Sequence, residues 1–159
     1  MESERLIFRE LQMSDAFRLF EIYSDEEAMK YRQVKPHQTI EDSFEMVKRD
    51  AEVRTSGFEY RFGIVEKETN ILIGSVMYQP IGRKAILGYS FAKESWGKGY
   101  ATEVVKWICN HIRAKNYQAI EAWVLHENIA SQKVLEKNQF SKISQTIYPY
   151  SLFYKKQLT

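Results

Sequence analysis

One cysteine, Cys109, stands in the 159 residues, so no intrachain disulfide can form and a reducing compartment is expected. No apolar run approaches the ~20 residues that a bilayer span requires. The start, Met1-Glu2-Ser3-Glu4-Arg5, lacks the apolar stretch of a secretory signal. Cytoplasm is the expected compartment, with no membrane partner. Charge of one sign is also scarce: the net value is +2, too small to mark a nucleic-acid partner and compatible with a phosphorylated small ligand. With three prolines and seven glycines there is no linker, repeat or low-complexity segment. What remains is an ordinary globular composition, 44% apolar and 28% charged. A single domain of this length buries roughly 70% of its unfolded surface.

Two of the seven glycines fall in the most informative run, Trp96-Gly97-Lys98-Gly99-Tyr100-Ala101-Thr102-Glu103. It follows an apolar segment, Ile86-Leu87-Gly88-Tyr89-Ser90-Phe91, and leads into a helical pattern of Ala101, Val104, Val105, Ile108 and Ile112. A strand, a glycine loop and a helix start in that order form an anion site, because first-turn N–H groups and the positive dipole end converge there. Gly97 and Gly99 can adopt positive φ and admit a ligand close to the backbone. A P-loop is excluded, since no Lys-Ser or Lys-Thr pair follows Gly99. A dinucleotide fingerprint would need Gly or Ala where Thr102 stands. Glu121 lies where a ribose-binding acid would be, yet fewer than forty residues follow it, too few to complete a doubly wound sheet.

A second constellation follows. Ala119-Ile120-Glu121-Ala122-Trp123-Val124-Leu125 reads as a strand, and Asn128-Ile129-Ala130-Ser131 opens a helical stretch ending at Leu135-Glu136-Lys137-Asn138-Gln139-Phe140. Together the two stretches, from about residue 84 to 140, resemble the GNAT superfamily of acetyl-CoA-dependent N-acetyltransferases. The likeness is greatest to the branch of ribosomal-protein N-terminal acetyltransferases (the Rim type). Their motifs run Gly-Tyr, Trp-Gly-Lys-Gly-Tyr-Ala-Thr-Glu, then Asn-x-x-Ser and Leu-Glu-Lys-x-Gly-Phe.

The remaining chain supplies the element order. Arg5 to Leu11 reads as a first strand. Ser14 or Asp15 caps a helix to about Tyr23, with Phe17, Phe20 and Leu19 facing inward. Thr39 and Asp42 form a capping-box start for a second helix, with Ile40, Phe44, Val47 and Ala51 on one face and Gly57 at its end. Strands are expected at 62–65, 71–77 and 85–91, a helix at 100–115, a strand at 119–125 and a helix at 128–138. Ser141 to Ile147 and Ser151 to Lys155 read as a hairpin around Pro149. The resemblance implies that these pack as an α/β (α+β) GNAT fold: a mixed, mostly antiparallel sheet of six to seven strands with about four helices, the fourth and fifth strands splayed apart.

The resemblance also implies the chemistry. The pantetheine arm of acetyl-CoA lies along Gly88 to Phe91, with Tyr89 and Phe91 among its contacts. The pyrophosphate meets backbone N–H groups of Gly97, Lys98, Gly99, Tyr100 and Ala101. Asn128 contacts the pantetheine, and Ser131 both binds the cofactor and acts as the catalytic acid toward the departing thiolate. Many superfamily members have a tyrosine acid four residues beyond that serine; here Leu135 stands there. The plain structural reading is that Asn128 is a helix cap, Ser131 a first-turn residue, and Gly97 and Gly99 the shapers of a turn. No metal is expected.

Relatives often carry a glutamate base where Ile86 stands. Its loss favours amines of lower pKa, such as N-terminal amines near 8, over amines near 10. Glu41, Glu45, Glu59, His37 and His126 are candidate bases, each reading first as a solvated surface residue, and no base is assigned. A ping-pong route through Cys109 is disfavoured by its mid-helix place between inward Ile108 and Ile112. The acceptor is a protein or peptide N-terminus by branch, or alternatively a polyamine or aminoglycoside-like small amine; a non-catalytic acyl-CoA sensor is the third reading. Tyr31, Phe58, Tyr60, Tyr148 and Tyr150 are candidate wall aromatics. The acidic run Asp25-Glu26-Glu27 reads as a helix end. Either a monomer or a homodimer is compatible with the chain.

Overall fold

A computed structural model describes residues 1–32, 34–143 and 150–158. Seven strands form one sheet in the order β1 (Leu6–Arg9), β2 (Tyr60–Glu66), β3 (Ile71–Ile81), β4 (Lys84–Phe91), β5 (Ala119–Leu125), β7 (Ser151–Gln157), β6 (Ser141–Ile143). Among the described residues four α-helices accompany them: α1 (Ala16–Tyr23), α2 (Ile40–Thr55), α3 (Tyr100–Ala114) and α4 (Ile129–Lys137). The mixed, mostly antiparallel sheet and the element order are as expected. The expected turn around Pro149, with Tyr148, lies outside the described residues.

The chain divides into two compact units, Met1–Met77 with Tyr89–Lys98, and Tyr78–Gly88 with the residues from Gly99 onward. In the first unit β1 pairs antiparallel with β2 from Leu6↔Glu66 to Arg9↔Gly63. Alternation buries Leu6 and Phe8 completely. Arg9, on the other face, grips Asp15 through two bonds of 2.7 and 2.9 Å, and Asp15 also accepts from Gln12 N at 2.7 Å. This pairing fixes the 3₁₀ turn Met13–Asp15 that leads into α1.

Helix α1 buries Leu19 as expected but turns Phe17 outward. Ala16, Leu19, Ile22 and Tyr23 are buried, whereas Phe17 is 67% exposed and meets Phe44 edge-on at 5.9 Å between ring centroids. Apolar residues occur around most of this helix, so composition offered two stripes, and the stripe containing the 0%-exposed Leu19 took the core. Helix α2 departs further. Its capping box of Thr39 and Asp42 forms and Val47 is buried as expected, but the other buried residues are Ser43 and Asp50. Ala51 is exposed, and Ile40 and Phe44 are only half-buried. Two polar side chains therefore occupy the inner face. Close approach is enforced at Gly74 of β3, where a Cβ would lie 2.2 Å from the Ser90 carbonyl oxygen; Ala92 N donates to Ile73 O nearby at 2.8 Å.

In the second unit β4 and β5 run parallel from Lys84↔Ala119 to Leu87↔Ala122. Within this unit the recorded pairing ends there, while the opposite edge of β5 stays paired with β7 over all seven residues, Ala119↔Gln157 to Leu125↔Ser151. Helix α3 buries Val104, Val105, Ile108, Cys109 and Ile112 along one stripe. Buried Asn138, just past α4, joins three elements. Its Nδ2 donates to Thr102 O of α3 at 3.2 Å and to Val134 O at 2.9 Å, and Lys156 Nζ of β7 donates to its carbonyl at 2.7 Å.

Candidate active site

The glycine loop adopts the geometry its residues favour. Gly97 and Gly99 have φ of 74° and 79°, and Gly99 is the N-cap of α3. A Cβ on Gly97 would meet nothing within 4 Å, so this glycine serves backbone conformation and not close packing. Gly99 supplies no capping side chain to the 15-residue helix it opens, which leaves that task at the positive dipole end to another acceptor. Trp96 is 47% exposed, and its Nε1 donates to Phe91 O at 3.4 Å. The Lys98 carbonyl accepts from Arg5 Nη1 at 2.9 Å, tying the loop to the N-terminal segment. On β4, Tyr89 and Phe91 meet edge to face at 6.2 Å, the first half-buried and the second 8% exposed. Tyr100 is 7% exposed and Ala101 half-buried on the first turn of α3.

At the start of α4, Asn128 Oδ1 accepts from Ser131 N at 3.1 Å. The plain cap reading of Asn128 is thus correct as far as its oxygen goes. Ser131 is half-buried in the first turn, and Leu135 one turn on is fully buried. Leu135 is therefore a core residue and contributes no proton. Cys109 is 5% exposed, and burial pushes its thiol up to about 11, which removes the thiolate that a ping-pong route would need. Glu121 pairs with Lys84 at 2.9 Å and Lys155 at 3.9 Å on its two neighbouring strands, a cross-strand ion-pair role and not that of a ribose ligand.

The candidate bases separate. Glu41, Glu45 and His126 are exposed, and Glu45 holds Lys48 at 2.8 Å. Glu59 and His37 are not surface residues: Glu59 is 20% exposed and paired with Arg61 at 2.8 Å, and His37 stacks on Tyr23 with centroids 5.2 Å apart. Burial lowers the His37 pKa, so its ring is neutral at pH 7. Sequence reasoning missed this cluster, which also includes Arg32, Ser43, Asp50, Arg61 and Ser75, because it ranked inward positions by apolarity. The available signal was an otherwise helical stripe interrupted by Ser43 and Asp50. The acidic run is consumed locally: Asp25 Oδ1 accepts from Ala28 N at 2.8 Å, and Glu27 pairs with Lys93. Among the expected wall aromatics Phe58 and Tyr150 are 55% and 78% exposed, while Tyr31 and Tyr60 are half-buried.

An open cleft of about 500 Å³ in the first unit is lined by Arg9, Asp15, Arg18, Glu94, Ser95 and Lys98, among others. Its arginines are already engaged, Arg9 by Asp15 and Arg18 by Glu21 and Glu94. Among the described residues no group of His, Cys, Asp and Glu is placed to hold a metal ion, and no helix is long and apolar enough to cross a membrane.

The chain belongs to the GNAT family: the acetyltransferase (GNAT) domain model matches residues 5–141. It is an N-acetyltransferase, 32% identical over 144 residues to the uncharacterized N-acetyltransferase p20 of Bacillus licheniformis, a match covering 88% of this chain and 81% of that protein. The fold is similar to that of a ribosomal-protein-S5-alanine acetyltransferase from Vibrio fischeri, with TM-score 0.83, 22% identity, and coverage of 99% and 95% of the two chains. It is equally similar to a spermidine N-acetyltransferase from Vibrio cholerae in complex with CoA and spermine, with TM-score 0.83, 19% identity, and coverage of 97% and 96%. One of these proteins acts on a ribosomal protein and the other on a polyamine.

Proposed function

We propose that the chain, working as one cytoplasmic domain, transfers the acetyl group of acetyl-CoA to a protein or peptide N-terminus by direct attack in a ternary complex. The observation that carries this reading is the pair of positive-φ glycines opening α3 without a capping side chain. In this reading the pyrophosphate takes the N–H groups of the Gly97 to Ala101 turn, with Lys98 adding charge. Tyr89 and Phe91 border the pantetheine arm. Asn128 Oδ1 is committed to the cap, so its contribution to the cofactor runs through Nδ2 or backbone.

The neutral amine attacks the thioester carbonyl; the C–N bond forms, the C–S bond breaks, and the amine proton passes to solvent or an acceptor there. Backbone N–H groups of β4 polarise the carbonyl. Ser131 gives its proton to the departing CoA thiolate and regains one from water. Thiolate is a good leaving group, so this acid adds about 10–100-fold, at the low end of such effects. Ile86 leaves no carboxylate on that strand position, which favours an α-amine near pKa 8 over an alkylamine near 10.

The test has two parts. Acetyl-CoA at 100 times its Kd should stabilise the protein by about 2.7 kcal/mol, a rise of roughly 5–10 °C in Tm for this size. Gly99→Val should lose that rise while remaining folded; a variant that keeps it refutes the loop assignment. CoA-thiol release is then followed with peptides, polyamines and aminoglycosides. Ser131→Ala should lower kcat about 10–100-fold with little change in acetyl-CoA affinity, and an unchanged kcat removes the acid role. Faster release with polyamines than with any peptide would overturn the choice of acceptor.

A further inference from the structure

The first unit holds a polar cluster that acetyl transfer, as described above, leaves unused. Tyr23, the last residue of α1, is 1% exposed, and its hydroxyl lies 2.6 Å from Ser75 Oγ of β3. Arg61 of β2 donates to the same oxygen at 3.1 Å and to Glu59 at 2.8 Å, with only 14% of its side chain exposed. Arg32 lies with Cζ 4.6 Å over the Tyr23 ring. His37 stacks on that ring too, and its Nδ1 is 2.8 Å from Ser43 Oγ of α2.

The charges do not balance locally. Arg54 reaches Glu10 at 3.6 Å and Asp50 at 3.8 Å, and Arg61 is held by Glu59. Half-buried Arg32 has no carboxylate at ion-pair distance among the described residues; its polar contact there is the Met29 sulfur at 3.6 Å, a weak acceptor. Burial first, and then the charge of Arg61, holds Arg32 below the ordinary arginine range against the opposing pull of Tyr23 and Glu59, although it stays protonated at neutral pH. Buried Asp50 is no remedy, since the charges bearing on it are Arg54, Arg61, Glu59 and Glu10. A partly desolvated guanidinium with no carboxylate at ion-pair distance among the described residues, under the repulsion of Arg61, gains when an anion completes it.

The position of the cluster gives that anion a purpose. Ser75 follows Gly74, whose Cα side packs against the Ser90 carbonyl. The Tyr23–Ser75–Arg61 bonds therefore begin one residue from the β4 segment, Tyr89 to Phe91, assigned above to the acetyl-CoA arm. We propose that Arg32, backed by Arg61, receives an anionic group of the acceptor, so that the amine acetylated is one borne beside a carboxylate. The planar guanidinium fork suits a carboxylate through two parallel bonds. Two acceptors share this chemistry: a peptide whose first residue is Asp or Glu, and a free α-amino acid. A polyamine offers the cluster only more positive charge. This inference rests on the acetyl-CoA reading of Tyr89 to Phe91.

The experiment is isothermal titration of the full chain, first with CoA and then, CoA-loaded, with matched probes. These are a tetrapeptide beginning with Glu against the same peptide beginning with Gln, an α-amino acid against its carboxamide, and spermidine. In one pair the acidic member should bind about 10–100-fold more tightly, as expected for a charged hydrogen-bonded contact, and the pair that responds names the source. Arg32→Gln should bring that ratio close to one while CoA affinity and Tm hold. Arg32→Lys, which keeps charge but loses the fork, should lower it several-fold and serves if Arg32→Gln does not fold. Failure of both acidic probes to bind, equal or tighter binding by the neutral probes or spermidine, or a ratio that survives Arg32→Gln overturns the proposal. Absence of CoA binding in the first titration overturns the acetyl-CoA reading and this inference with it.

Discussion

Gln139→Gly should stabilise the protein, although Gln139 is exposed and its side chain makes no recorded bond. Helix α4 ends in a Schellman motif: Phe140 N donates to Leu135 O at 3.1 Å, and Gln139 N donates to Glu136 O at 2.9 Å. Gln139 takes the left-handed position with φ of 65°. An L-residue there costs about 1–2 kcal/mol in local strain, and glycine removes that cost while adding about 0.5–1 kcal/mol of chain entropy. The net expectation is about 0.5–1 kcal/mol more stability, or roughly 1–4 °C in Tm. The same motif closes α3 at Asn116 (φ 64°) and α2 at Gly57 (φ 75°), with bonds of 2.9 and 3.4 Å and of 3.0 and 3.0 Å. These helices form an internal series. Asparagine tolerates the left-handed region better than glutamine, so Asn116→Gly should gain less. Gly57→Gln should lose about 0.5–1 kcal/mol, since a Cβ there would lie an ordinary 3.6 Å from the Tyr60 hydroxyl. Urea and thermal unfolding followed by circular dichroism measure all three. A neutral or destabilising Gln139→Gly, together with a neutral Gly57→Gln, would refute the assignment of strain to these caps.

Two further outcomes follow from titrating groups. Burial lowers the pKa of both His37 and His111. The unfolded chain therefore binds more protons than the native protein as pH falls below about 6.5, and stability present above that value is lost as pH falls through the folded values. Replacing both with Gln should flatten unfolding free energy between about pH 7 and 5; a slope that persists unchanged would assign it elsewhere. Cys109, with its thiol pushed up to about 11, should react with a disulfide reagent at pH 8 only at the rate of unfolding, and rapid labelling of the native protein would contradict its burial.

The second half of the fold was the more legible from sequence. Ala119–Leu125 is found at the residues expected, and α3 and α4 lie within one residue of expectation at each end. In these segments glycines, an Asx cap and regular apolar spacing agree. The helices of the first half were placed correctly and Leu19 and Val47 face inward as expected, but other inner positions were misassigned because apolarity was taken as the guide. Phe17 points outward, and Ser43 and Asp50 point inward. Buried polar side chains mostly find partners: Ser43 pairs with His37, and Asp50 lies 3.8 Å from Arg54. Ser75 likewise finds Tyr23 and Arg61, far away in sequence. Local pattern does not carry such long-range pairings, so Arg32, Arg61 and Tyr23 were invisible as a group. Asn128 showed the opposite relation: its capping role was readable from spacing alone.

The side chain of Asn138 acts as a splice between two helices. Its amide holds the first-turn carbonyl of Thr102 and the Val134 carbonyl of α4, while Lys156 secures its own carbonyl from β7. A load on the opening turn of α3 is therefore shared with the last turns of α4 and with the strand behind it. Occupancy at the start of α3 should then be reported as slowed amide exchange at the far end of α4. Cutting the splice with Asn138→Ala would let the two helices answer separately.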